Sequence, residues 1–211
     1  MSLSIALTKG RLEKKTIERL EACGYGVESI KNKNRELVFH DSKKDISYFL
    51  VKSNDCITYV EHGVADVGIV GKDTLIEGGK DYYELLDLKI GNCKFIVASL
   101  PQTDLFHKQG HIKIGTKYPN IARSYFLKRN MDVEIIKIDG SVELAPLLGL
   151  CDGIVDIMET GVTLKENGLV VLDEVCKISA RMIVNKAAFK LKREEILNLM
   201  EDLKEEEEEV C

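Results

Sequence analysis

The chain has 211 residues, 45% of them hydrophobic and 31% charged, and carries a net charge of −5. That length and apolar content supply the core of one domain or two small ones, while the acidic balance argues against a nucleic-acid surface and still allows local basic pockets for phosphates. No apolar run approaches bilayer length, and Met1-Ser-Leu-Ser-Ile-Ala-Leu-Thr-Lys9 lacks a basic start followed by a long apolar stretch and a cleavage site, so a cytoplasmic location is expected.

Ser4-Ile-Ala-Leu-Thr8 is a short apolar run stopped by Lys9-Gly10-Arg11, after which Leu12, Ile17, Leu20 and Ala22 recur roughly at helical spacing, giving strand, turn and helix. Gly24 and Gly26 end that helix, and Glu36–His40 with Ile46–Val51 read as a hairpin around Asp41-Ser-Lys-Lys44. A helix over Asn54–His62, a strand over Ala65–Val70 and a short helix from Lys72 follow.

A second series places strands at Lys94–Ser99 and Ile112–Gly115, a helix at Asn120–Asn130, a strand at Val133–Ile138, a helix at Val142–Leu148 and a strand at Gly153–Ile157. Two alternating series predict an α/β protein of two lobes, residues 1–90 with 179–211 and residues 91–178. Strands near Lys89–Leu100 and Ile178–Asn185 are long enough to be the crossovers, and a last helix, Arg193–Glu208, returns to the first lobe with a solvated acidic run, Glu205–Glu209, at its end. Joined in this way, the lobes are expected to hold a ligand in the cleft between them.

The six cysteines, Cys23, Cys56, Cys93, Cys151, Cys176 and Cys211, form no Cys-x-x-Cys pair and no cluster with histidine, which indicates neither a disulfide framework nor a zinc site. His107-Lys-Gln-Gly-His111 has helix-like histidine spacing, but Gly110 and the polar setting make it an exposed loop. Val67-Gly-Ile-Val-Gly71 lacks the third glycine of a dinucleotide fingerprint and suits close strand–helix packing, with Gly71, Lys72 and Asp73 available to line a nucleotide cleft.

Chemistry concentrates where the apolar strand Gly153–Ile157 stops at Asp156 and runs through Met158-Glu-Thr-Gly-Val-Thr163 into a helix. Hydroxyls of Thr160 and Thr163, a Gly161 that lets a ligand approach the backbone, and the N–H groups from Val162 onward suit a phosphate. Asp156 and Glu159 repel phosphate and suit ribose hydroxyls or a Mg²⁺ carried by the ligand, so the segment fits a sugar phosphate. By itself, Thr-Gly-x-Thr also reads as a helix cap with a turn glycine.

The stretch resembles the signature of the ATP phosphoribosyltransferase family at Glu143, Gly149, Ile154, Asp156, Ile157, Thr160, Gly161, Thr163 and Leu164, with Cys151 where that family has Ser, Ala or Gly. The resemblance continues in Ala6-Leu-Thr-Lys-Gly-Arg-Leu12, Tyr59-Val-Glu-His-Gly-Val-Ala-Asp-Val-Gly-Ile-Val-Gly-Lys-Asp73, Thr116-Lys-Tyr-Pro-Asn-Ile-Ala-Arg123 and Gly140-Ser-Val-Glu-Leu-Ala-Pro-Leu147. Thr8 and Ile57 stand where proline is common and Lys52 where arginine is common.

The resemblance implies a two-lobed fold like type II periplasmic binding proteins. It also implies transfer of a phosphoribosyl group from phosphoribosyl diphosphate, bearing Mg²⁺, to N1 of ATP, the first step of histidine biosynthesis. Ending one helix after the second crossover, the chain is similar to the family's short form, whose homodimer core works with a regulatory subunit similar to histidyl-tRNA synthetase. The implied reaction needs cations for the departing diphosphate: the arginines matching Arg11 and Arg35 are placed there, with Lys9 beside them. Lys9 and Arg11 fit this independently, because cations at a helix N-terminus oppose its dipole. Two rival readings are a two-lobed solute binder, which needs no acidic phosphoribosyl loop, and a non-catalytic subunit, in which Arg11, Asp156, Thr160, Gly161 and Thr163 need not be intact.

Overall fold

The computed structural model describes residues 2–41, 44–78, 81–108 and 110–204. In chain order the first elements are β1 (Leu3–Thr8), α1 (Arg11–Ala22), α2 (Glu28–Lys31), β2 (Val38–Asp41), β3 (Ile46–Val51), α3 (Ser53–Glu61), β4 (Val67–Gly71), α4 (Lys72–Glu77) and β5 (Tyr83–Asp87). Then come β6 (Cys93–Ser99), β7 (Lys113–Thr116), α5 (Pro119–Lys128), β8 (Glu134–Lys137), α6 (Leu144–Leu147), β9 (Gly153–Met158), α7 (Val162–Glu166) and β10 (Val170–Ile178). The chain closes with β11 (Ala180–Val184), α8 (Lys186–Leu191) and α9 (Arg193–Leu203). Residues 205–208 of the expected last helix, and Ser42 and Lys43 of the hairpin turn, lie outside the described residues. Among the described residues no helix is long and apolar enough to cross a membrane.

Contacts divide the chain into two compact units, with boundaries at Gly91/Asn92 and Ile178/Ser179. The first unit holds a sheet of order β2-β3-β1-β4-β11-β5, in which β3, β1 and β4 run parallel and β2, β11 and β5 pair antiparallel. Period-two alternation gives that sheet two buried faces. Leu3, Ile5 and Leu7 of β1 join Ile17 and Leu20 of α1 and Ile196 and Leu199 of α9 on one face, while Ala6 meets Cys56, Ile57 and Val60 of α3 on the other.

In the second unit the order is β10-β6-β9-β7-β8, with β9, β7 and β8 parallel and β6 and β10 antiparallel. The same alternation sends Phe95 and Val97 of β6 toward Ile121, Ala122 and Phe126 of α5, and Ile96 and Ala98 toward Ala145 of α6 and Leu164 of α7.

The crossovers differ from the sequence expectation of unbroken strands. Residues 88–92 leave the sheet, with Lys89 at φ 53° and Gly91 at φ 66°, and β10 and β11 are separated at Ser179. At Ser179 the hydroxyl donates to Asp87 at 2.6 Å and the carbonyl accepts the Lys72 N–H at 3.0 Å, which fixes the residue where β11 begins. The strands β5 and β10 and the helices α2 and α8 are additions to the elements read from sequence, and α6 is shorter than the helix expected over Val142–Leu148.

Gly68 packs as a close-approach glycine: an added Cβ would lie 2.8 Å from Cys56 Sγ, 2.8 Å from Val60 Cγ2 and 3.1 Å from Ile183 Cγ1. All three residues are fully buried, so the extra methyl has nowhere to go. Gly68→Ala is therefore expected to destabilise the protein by about 1–3 kcal/mol, read as a lower midpoint in urea unfolding. A variant as stable as the parent would show that the spacing of β4 and α3 is adjustable.

Candidate functional site

In open α/β sheets, ligands bind outside the carboxyl ends of parallel strands where neighbouring connections depart in opposite directions. Each unit has one such point. After β1 the chain goes to β3 on one flank, whereas after β4 it goes through α4 to β5 on the other, so the crevice of the first unit lies between β1 and β4. After β7 the chain goes to β8, whereas after β9 it goes to β10, so the second crevice lies between β7 and β9.

The first crevice gathers Lys9 and Arg11 after β1 and Gly71, Lys72 and Asp73 after β4. Thr8 Oγ1 donates to the Ile69 carbonyl at 2.8 Å and Lys9 N–H donates to the Val51 carbonyl at 2.8 Å, fixing where β1 ends. Gly10 then turns the chain at φ 100°, a conformation that favours glycine, and leaves the side chains of Lys9 and Arg11 exposed. The Asp73 carboxylate folds back on Gly71 so closely that a Cβ there would sit 2.1 Å from Asp73 Oδ1. Lys72 is committed elsewhere: its ammonium lies 2.6 Å from Glu84 of β5, which also faces Arg181 at 3.6 Å. Arg35 is on the exposed stretch between α2 and β2.

The second crevice holds the segment from Asp156 to Thr163. Thr116 Oγ1 donates to the Val155 carbonyl at 2.7 Å and accepts the Tyr118 N–H at 2.9 Å, which ties the turn after β7 to the strand that carries Asp156. Asp156 is half-buried. Burial pushes its carboxyl up to about 6, against its bond from the Ile157 N–H, with Glu143 raising it further and Lys117 lowering it. Gly161 takes the left-handed conformation, φ 78° and ψ 4°, and starts α7. Buried Leu164 anchors that helix, while Glu159, Thr160, Val162 and Thr163 are exposed. The segment thus offers hydroxyls and helix-start N–H groups beside a carboxylate poised between charged and neutral.

Sequence reasoning did not assign Lys117 or Glu143 to the site, although both stand in the quoted blocks. They arrive from separate connections, after β7 and ahead of α6, and no periodicity marks them. His107 pairs with Asp104 and His111 with Glu134, at 2.9 and 2.6 Å, and both histidines are exposed. The cysteines of the described residues are free thiols.

Residues 52–205 match the family model for ATP phosphoribosyltransferase. An ATP phosphoribosyltransferase from Clostridium acetobutylicum is 57% identical over 203 residues, which cover 96% of this chain and 94% of that protein. One from Clostridium botulinum is 55% identical over 206 residues, covering 97% of each. Among solved structures, the ATP phosphoribosyl transferase (HisG:HisZ) complex from Thermotoga maritima superposes with a TM-score of 0.80 at 35% identity, covering 95% of this chain and 96% of that one. The periplasmic aliphatic sulphonate binding protein SsuA from Escherichia coli superposes with a TM-score of 0.63 at 11% identity, over 96% of this chain and 71% of its own. That second likeness is one of fold, the two-lobed type II architecture.

Proposed function

The chain belongs to the ATP phosphoribosyltransferase family, and from that membership we infer that it transfers the phosphoribosyl group of phosphoribosyl diphosphate to N1 of ATP. The products are 1-(5-phosphoribosyl)-ATP and diphosphate, and the reaction is the first step of histidine biosynthesis. The observation that carries this is identity of 55–57% to curated relatives along nearly the whole chain, with the segment from Asp156 to Thr163 seated at a strand-end crevice.

The division of labour we assign follows the chemistry of each crevice. Adenine N1 attacks with its own lone pair, so no general base is needed, and the barrier is lowered by positioning and by charge. Asp156 and Glu159 take the ribose hydroxyls, while Thr160, Gly161, Val162 and Thr163 take the 5-phosphate through hydroxyl and N–H groups. Arg11, Arg35 and Lys9 stabilise the negative charge growing on the diphosphate as its bond to C1 breaks. Gly71 and Asp73 line the nucleotide side together with the backbone of Lys72, whose ammonium is held by Glu84.

The family uses a divalent metal, which we assign as Mg²⁺ arriving on the diphosphate substrate. Asp156 and Glu143 are hard oxygen donors of the kind such an ion meets, and it would relieve the repulsion between them. Like the Thermotoga maritima HisG:HisZ complex, the chain assembles with a HisZ-like regulatory subunit, which we assign as one similar to histidyl-tRNA synthetase bound around a homodimer core. We place it in the cytoplasm with its two substrates.

The test is to mix the purified chain with ATP, phosphoribosyl diphosphate and Mg²⁺, following the adenine near-ultraviolet absorbance and released diphosphate. No product, with or without the regulatory subunit, would refute the reading.

The state of Asp156 supplies a pH prediction. Its folded-state value of about 6 lies above that of an unfolded Asp, about 3.9. The ionised form therefore costs stability above pH 6, and the cost is relieved as pH falls from there toward the unfolded value. Binding runs the other way, because ribose hydroxyls donate to the ionised carboxylate. KM for phosphoribosyl diphosphate should rise as pH falls through about 6, and Asp156→Asn should bind weakly without that limb. A KM that is level across this range in the parent enzyme would count against the ribose role.

A further inference from the structure

We propose that Glu13 and Lys33 are positioning residues that lock the Lys9-Gly10-Arg11 turn to the segment carrying Arg35, so that cations from two separate stretches meet the leaving diphosphate as one preassembled group. The proposal rests on the diphosphate role given above to Arg11 and Arg35. Glu13 stands in the first turn of α1, and its two carboxylate oxygens are divided between two tasks. Oε2 accepts the Gly10 N–H at 3.3 Å, and Oε1 pairs with the Lys33 ammonium.

The bond to Gly10 caps the start of α1, where the Glu13 N–H also donates to the Gly10 carbonyl at 3.1 Å, and the bond to Lys33 restrains a stretch outside helix and strand. Gly10 lies between Lys9 and Arg11 at φ 100° and has the widest backbone freedom of any residue, so an acceptor on its N–H narrows the directions its neighbours can take. Lys33 is two residues ahead of Arg35, on a stretch from residue 32 to 37 that forms neither helix nor strand and is exposed throughout. A second ion pair, Lys31 with Glu21, fastens the start of the same stretch to the far end of α1. One helix thereby holds both cation-bearing segments.

Shielding of its carboxylate end separates the Glu13–Lys33 pair from an ordinary surface contact. The Glu13 side chain is 13% exposed and that of Lys33 38%, whereas Lys14 and Glu18 of the same helix, 3.9 Å apart, are 86% and 58% exposed. A pair screened at both ends contributes little order, while one whose carboxylate is shielded and accepts two bonds restrains geometry more. Fixed geometry matters because cations that must be gathered during the reaction forfeit part of their stabilisation of the transition state.

The experiment is steady-state kinetics on the enzyme assembled with its regulatory subunit, comparing Glu13→Gln, Lys33→Met, their double variant, Lys33→Arg, and Lys14→Met as a control on the exposed pair. Glu13→Gln keeps an acceptor for Gly10 and loses the charge. Glu13→Gln and Lys33→Met should each lower kcat roughly tenfold with little change in KM for ATP, and should weaken inhibition by added diphosphate by a similar factor. The double variant should be no worse than either single one, Lys33→Arg should recover most of the loss, and Lys14→Met should match the parent. Losses that add in the double variant, or that follow a fall in melting temperature and are not recovered by Lys33→Arg, would overturn the proposal. So would a Lys33→Met enzyme with parental kcat and diphosphate inhibition. A parent that turns over, with Arg11→Ala depressed and Lys33→Met normal, refutes the lock alone; a parent with no turnover refutes the function beneath it.

Discussion

Arg11→Ala is expected to lower kcat by about 10²–10³-fold while changing KM for ATP far less, the pattern of a group whose interaction strengthens as the reaction proceeds. At C1 the transition state resembles an oxocarbenium ion, as in glycoside cleavage, and the complementary negative charge gathers on the departing diphosphate. A guanidinium suits that anion because its donors form a planar fork matched to phosphate oxygens. Its place in the chain makes sense in those terms, since a cation in the first turn of α1 opposes the helix dipole and costs the helix a little stability. Removing it should leave folding nearly unchanged, because the residue is exposed, and surface substitutions usually stay within about 0.5 kcal/mol. Arg11→Lys should recover part of the turnover, a charge without the fork. Equal loss of affinity for both substrates with kcat preserved would remove Arg11 from the leaving-group role.

How much could be read from residues alone follows from where burial is two-sided. The strands β1, β4, β6 and β9 are apolar runs broken by glycines and charges, and they sit in sheet interiors where such runs are required. Of the four edge strands, β2 and β8 were legible and β5 and β10 were not. β10 carries exposed Val170 and Val171 along with Asp173, Glu174 and Lys177, and its pairing with β6 shifts register twice, so no alternation survives to be read. Missing β5 had a consequence at the site: Glu84 is on that strand, and its ion pair with Lys72 could not be foreseen, leaving Lys72 with a freer role than its position gives it. The loop from Asp156 to Thr163 was readable because its residues are contiguous. Lys117 and Glu143 act on the same carboxylate from other connections, and only the sheet order β9-β7-β8 explains why.

Gly161→Val should weaken binding of phosphoribosyl diphosphate strongly through the backbone, with no charge or hydroxyl removed. Gly161 lies at φ 78° and ψ 4°, a left-handed conformation that costs an ordinary L-residue about 1–2 kcal/mol, and more for a β-branched one. A Cβ there would also come within 3.1 Å of Met158 Sδ, a contact that a flexible methionine can partly relieve. Conformation is thus the larger penalty, and the segment would relieve it by leaving the left-handed region. That movement re-aims the N–H groups that open α7, and a displacement of about 1 Å at such a site can cost 10²-fold. KM for phosphoribosyl diphosphate is therefore expected to rise by about that factor, with KM for ATP changed less. Leu164 stays in the core, so the melting temperature should fall only modestly. Gly161→Asn provides the decisive comparison, because asparagine accepts the left-handed conformation with little strain and should retain much of the affinity. If the Val and Asn variants bind phosphoribosyl diphosphate equally poorly, the requirement at this position is open space for the ligand and not the turn that glycine permits.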